Sequence, residues 1–225
     1  MVRKMTTDLP LTVSDLRALA REGTMSLPEG VPLSPFEIAL IRVGLTASVT
    51  LLDRSAADAA IDAAFAAGAS SQQVQEVVSL VSGLGVHSLM MTAPMILAAA
   101  ARAGEPVDVP LTVAQQDLWD RHVGEDPFWA SFEREMPGFL EAMLRLSSDQ
   151  FTAFFDYCAV PWKSGAVRAR IKELVAMAVD ATPTHRFLPG FKLHLANAIA
   201  LGVGSVAINE ALDLAEAAPP HIGTR

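Results

Sequence analysis

Two stretches of this chain echo each other. AAGASSQQVQEVVSL (Ala66 to Leu80) lies over ALGVGSVAINEALDL (Ala200 to Leu214) without a gap, with Ala66/Ala200, Gly68/Gly202, Ser71/Ser205, Glu76/Glu210 and Leu80/Leu214 identical at an offset of 134. Upstream, FEIALIRVGLTA lies over KELVAMAVDATP and pairs Glu37 with Glu173 at an offset of 136. The two extra residues fall in a turn of the second copy, where insertions cost little. This ordered match reads as a tandem duplication.

Both copies carry a helical period, and no sustained alternation calls for a sheet, so the expected fold class is all-α. Helix signals recur along the chain. Thr12 to Glu22 opens with Ser14 as the expected cap. Ser34 to Leu52 has Ser34 as N-cap, Pro35 at the first helical position and Glu37 three residues after the cap. Ser55 to Ala67 ends at Gly68, and Ser70 or Ser71 caps a run that breaks at Gly83 to Gly85. Met90 to Arg102, Thr112 to His122, Pro127 to Arg134, Pro137 to Leu146, Asp149 to Cys158, Val167 to Ala181, Phe191 to Leu201 and Ser205 to Ala217 complete the expected helices. The organisation expected is an N-terminal helix and loop (1–32), a first repeat (33–103), a linker with a short helix (104–130) and a second repeat (131–225).

Composition narrows the function. Apolar residues make up 51% and charged residues 19%, with a net charge of −8. Nucleic acid needs a basic footprint that is absent here, and no run of Lys or Arg suits an anionic membrane. The apolar window Leu89 to Ala101 is interrupted by Pro94 and is short for a bilayer. MVRKMTTDLP lacks the apolar core of a signal peptide, and the single Cys158 excludes an internal disulfide framework, so a cytoplasmic setting is expected. Positive hydropathy without a spanning segment suggests helical faces buried against other subunits. Neither a metal-ligand spacing nor a phosphate loop occurs, so no metal and no cofactor are expected.

The polar side chains gather in HRFLPGFKLHLANAIALG (His185 to Gly202), an otherwise apolar helical run. Together with KELVAMAV (172–179) and the following INEAL (208–212), it resembles the carboxymuconolactone decarboxylase family, which shares its fold with alkyl hydroperoxidase D (AhpD). The likeness is stronger over 168–217 than over 33–80. It implies an AhpD-like helical bundle with two copies of a helical-hairpin unit, the first degenerate: Glu37 remains, but Ala60 stands where the histidine would be. In the peroxidase branch a Glu and a His relay protons to a Cys-x-x-Cys pair just before the histidine. Glu173 and His194 match; Phe187 and Gly190 stand at the cysteine positions, so thiol peroxidase activity is not expected. Six hairpin units usually form a ring in this family, which implies a homo-oligomer, a trimer ahead of a dimer or hexamer.

Gly190, His194, Asn197 and Leu201 fall at helical spacings and share one face. Glu173, across a short turn, is placed to hold one imidazole nitrogen and leave the other to exchange protons. The bland alternative is a structural pair that fixes the hairpin. The expected catalytic residues are Glu173, His194 and His185. Lys192, Asn197, His87 and Gly190 are the expected substrate-binding residues, Gly190 by leaving room for substrate. For Lys192 and its neighbour Arg186 a solvated basic turn is the competing reading. The resemblance implies a lyase, decarboxylase-like, acting on a small carboxylated lactone or carbonyl compound. A non-catalytic oligomeric binding protein for small molecules is the alternative.

Overall fold

The computed structural model describes residues 10–224, so the stretch MVRKMTTDLP, and with it the expectation about a signal peptide, lies almost wholly outside the described residues. In chain order the helices are α1 (Val13–Thr24), α2 (Pro35–Ala47), α3 (Arg54–Ala66), α4 (Ser71–Ser82), a 3-10 turn (Gly83–Val86), α5 (His87–Arg102), α6 (Val113–His122), α7 (Pro127–Glu135), α8 (Phe139–Leu146), α9 (Ser148–Ser164), α10 (Ala169–Asp180), α11 (Leu188–Ala200) and α12 (Ser205–Glu216). No strand occurs among the described residues.

Local chemistry starts these helices where expected, with a few corrections. The Ser34 hydroxyl accepts from the Glu37 N–H while the Glu37 carboxylate takes the Ser34 N–H at 2.8 Å, a complete capping box. Ser70 and Gln73 do the same for α4. Thr12 caps α1, through a box with Asp15; Ser14 lies inside the helix. The second helix stops at Ala47 instead of reaching Leu52, because Ser48 turns to extended backbone and Leu52 takes φ 43. Past Cys158, α9 runs on through Pro161 to Ser164 and ends at Gly165, whose φ of 71 suits a residue without Cβ.

Two cores result. The first is aliphatic and centres on α10, buried from Ile171 to Asp180 and packed by α2, α4, α11 and α12. Gly44 lets α2 approach it, since a Cβ there would press into the Val175 side chain. The second core is aromatic: Phe132, Phe139, Phe151, Phe154 and Phe155 from α7, α8 and α9 enclose Met136, Leu140 and Met143. Helix α11 divides its faces between them, giving Phe191, Leu195 and Ala198 to the first core and Leu193 to the second. Each Phe or Leu side chain so removed from water contributes about 1.5–3 kcal/mol.

The echoed glutamates have matching structural tasks. Glu76 accepts the backbone N–H groups of Ala166 (3.1 Å) and Val167 (3.2 Å) ahead of α10, and Glu210 accepts that of Leu33 (2.6 Å) ahead of α2. Lys172 neutralises Glu76 at 2.5 Å, and both side chains are only 3% exposed, so neither charge is left buried alone.

One composition-based expectation changes on length. The glycines at 83 and 85 tighten the chain into a 3-10 turn without ending it, so 71–102 forms one run of 32 residues with mean hydropathy 1.6 over its most apolar window. That run is long and apolar enough to cross a bilayer by length and composition, unlike Leu89 to Ala101 alone. Its Met91, Met95 and Ile96 are exposed.

Candidate active site

The turn 181–187 folds α11 back onto α10, and this hairpin builds the site. Glu173, one turn into α10, is 6% exposed. Its Oε2 lies 2.7 Å from His194 Nδ1, and its Oε1 accepts from Asn197 Nδ2 at 3.2 Å. Both carboxylate oxygens are thereby committed, the ring orientation of His194 is fixed, and Nε2 is left to the space beyond. Burial is the largest influence on the His194 pKa and lowers it. The hydrogen bond and charge of Glu173, with the charge of Asp180, outweigh burial and leave it raised above 6.5.

That space is a cavity of about 650 Å³ between the two cores. Glu173, His194, Asn197, Asp180, His87 and Gly190 are in its lining. The rest of the wall is largely aromatic and aliphatic, with Trp129, Phe132, Phe154, Phe155 and Trp162 prominent. Neither Lys nor Arg lines it among the described residues.

The sequence-derived residues fare differently. His194, Glu173, Asn197, His87 and Gly190 converge on the cavity. Asn197 orients Glu173 through its amide nitrogen, a positioning task. His87 opens α5 and stacks on Phe187 with ring centroids 3.9 Å apart. Burial, its largest influence, pushes its pKa down to about 4. His185 stands behind His87, its Nε2 2.8 Å from His87 Nδ1, and does not itself line the cavity. Lys192 is a correction: it points away, 43% exposed and 3.6 Å from Glu135, because an offset of two residues from His194 puts it on the other side of α11. The reason given for Gly190 also changes. A Cβ there would collide with the Asp180 carboxylate and the Phe187 ring, so the glycine makes room for Asp180.

Asp180 is the residue that sequence reasoning missed. It is 1% exposed, with Oδ1 3.5 Å from His185 Nε2 and 3.9 Å from His87 Nδ1, while Oδ2 has no hydrogen-bond partner. The available signal was an acid at the end of the apolar run LVAMAVD. Cys158 also lines the cavity, but burial pushes its thiol up to about 11, far from the thiolate that peroxidase chemistry needs. In the segment expected to be the first repeat, Glu37 is occupied by Ser34 and Arg170, and Ala60 is buried, so no second such dyad forms there.

No protein-family model matches this chain, and no curated protein matches it significantly. Among solved structures, it is similar to a candidate gamma-carboxymuconolactone decarboxylase subunit from Burkholderia xenovorans LB400, with a TM-score of 0.64 and 25% identity. The superposition covers 91% of this chain and 93% of that one, so the folds correspond over nearly their full lengths. The chain therefore carries the all-α, carboxymuconolactone decarboxylase-like helical fold.

Proposed function

We propose that the cavity is the active site of a lyase-type enzyme in which His194, oriented by Glu173, transfers a proton at carbon or oxygen of a carbonyl or lactone substrate. The observation that carries this reading is the 2.7 Å Glu173–His194 pair opening into the cavity. The hydrogen bond and charge of Glu173 raise the imidazole pKa and so strengthen it as a proton acceptor. The likeness to a candidate decarboxylase subunit supports the class of chemistry.

The lining also bears on the substrate. A small carboxylated lactone would have to enter a site that offers two carboxylates and no lysine or arginine, so charge repulsion and desolvation both oppose it. The aromatic wall favours a bulky substrate of low charge that directs one carbonyl oxygen toward His194 and Asn197. Isomerisation, lactone opening and carbon–carbon cleavage next to a carbonyl use these same groups. We further propose that the chain works as a homo-oligomer, a trimer by the hairpin count, which light scattering tests.

Trp129 and Trp162 line the cavity and report occupancy through fluorescence. Uncharged aromatic lactones and ketones should quench it, and their carboxylated analogues should bind more weakly. Turnover of whichever compound reacts should fall by about 10²–10⁴ in His194→Gln, the range that a positioned proton-transfer group supplies. Undiminished turnover in a folded His194→Gln would refute the reading. Tight binding with no turnover of any bound carbonyl compound would identify a binding protein, the reading that the apolar cavity also supports.

A further inference from the structure

We propose that His87, Asp180 and His185 form a binding site for one divalent first-row transition-metal ion at the edge of the cavity. The three ligand atoms come from α5, the end of α10 and the turn after it. Their separations are 2.8 Å (His87 Nδ1 to His185 Nε2), 3.5 Å (His185 Nε2 to Asp180 Oδ1) and 3.9 Å (His87 Nδ1 to Asp180 Oδ1). For a triangle with those sides, one point lies about 2.0 Å from all three atoms, the length of metal bonds to imidazole nitrogen and carboxylate oxygen. Two imidazoles and one carboxylate suit zinc or ferrous iron; magnesium and calcium prefer all-oxygen shells.

A second observation also calls for a cation. Asp180 is buried, and among the described residues its Oδ2 has no hydrogen-bond partner while the histidine nitrogens nearest its Oδ1 stand 3.5 and 3.9 Å away. A carboxylate in that condition is costly unless a positive charge sits beside it. Packing holds two of the ligands: Phe187 stacks on His87, and Gly190 leaves the space that the Asp180 carboxylate and the edge of Phe187 occupy. The histidine rings are within 9° of parallel with centroids 5.0 Å apart, so their nitrogens face each other almost head-on. Coordination requires both rings to turn, because an ion about 2.0 Å from each nitrogen lies well off the line that joins them. His185, on the partly exposed turn, is freer to do so than His87, which is stacked on Phe187. Without metal, the same 2.8 Å separation is an N–H···N hydrogen bond, and a shared proton is the competing occupant. His87 and Asp180 both line the cavity, so the open coordination position faces the ligand space next to His194.

The site shares its cavity with the proposed reaction, yet its test needs no substrate. Chelator-stripped protein is titrated with Co²⁺ or Zn²⁺ alone. One equivalent should bind, Co²⁺ should show the visible band of low-coordinate nitrogen–oxygen ligation, and melting should shift upward. Asp180→Asn and His185→Ala should each weaken binding by more than about 100-fold, beyond the 10–100-fold that outer-shell partners carry. His194→Gln should change it by less than about threefold, since that side chain is not a ligand. X-ray absorption of the wild-type Zn²⁺ complex, expected to show two nitrogens and one protein oxygen at about 2.0 Å, checks the ligands should a variant not fold. Sub-stoichiometric or millimolar binding, or wild-type affinity in both folded ligand variants, overturns the site and leaves the shared proton as its occupant. A failed metal titration with impaired His194→Gln turnover would separate the two proposals.

Discussion

Gly190→Ala tests whether Asp180 and residue 190 compete for one volume. An added Cβ would overlap Asp180 Oδ2 and touch Phe187 Cδ1 at 2.9 Å. Asp180 is enclosed and Phe187 is stacked on His87, so neither yields freely. Overpacking of this kind costs about 1–3 kcal/mol. In a chain of 225 residues each kcal/mol moves Tm by about 2–4 °C, so a fall of about 2–12 °C is expected. Helix propensity alone would give the opposite sign, because Ala is favoured over Gly by up to about 1 kcal/mol in a helix interior. Asp180→Ala removes the principal obstacle. In that background only the Phe187 contact remains, so the cost of Gly190→Ala should fall by about 0.5–3 kcal/mol, the coupling between the two positions. Thermal and urea unfolding of the four proteins measure it. Additive effects, or a Gly190→Ala protein as stable as wild type, would refute the packing argument and restore the simpler idea that the glycine merely clears the way for substrate.

Two further outcomes follow from the same site. His194 has a folded-state pKa above its unfolded value, so its ion pair contributes stability fully below the unfolded pKa and loses it as pH rises through the folded one. Glu173 and Asp180 of α10 and His87 of α5 face it, so the comparison is made as a difference: the Tm gap between wild type and His194→Gln should be largest below the ordinary histidine value of 6.5 and shrink as the pH rises above it, and a constant or widening gap contradicts the pairing. Lys192→Ala should change stability by less than about 0.5 kcal/mol and leave KM for any cavity substrate unaltered, because its only ion pair among the described residues is a 3.6 Å contact at the surface; a clear rise in KM would place it back at the site.

What the sequence disclosed was local. Ser34-Pro35-Phe36-Glu37 and Ser70-Ser71-Gln72-Gln73 encode helix starts within four residues, and their capping boxes form as written. Glu173 and His194 are 21 residues apart on two consecutive helices, so helical spacing and one turn suffice to bring them together. The same arithmetic, applied more strictly, excludes Lys192: it is offset from the 190, 194, 197 face by half a turn. The contact of His87 with His185 spans 98 residues and depends on how α5 meets the α10–α11 turn, a tertiary fact with no spacing signature. The aromatic wall is hidden for the same reason, since its residues come from helices α7 and α9, whose own sequences show only that they pack.

Asp180 joins these strands of the argument. The resemblance places two thiols at 187 and 190, and this chain has a phenyl ring and a glycine there. Gly190 and Asp180 are complementary: the space that any side chain at 190 would enter is held by a carboxylate reaching across from α10. Restoring a cysteine at 190 alone would therefore not restore a thiol site, because Asp180 would block its sulfur and its negative charge would disfavour the thiolate. The glycine at 190 and the buried acid at 180 are thus one packing arrangement, which holds the carboxylate beside His87 and His185.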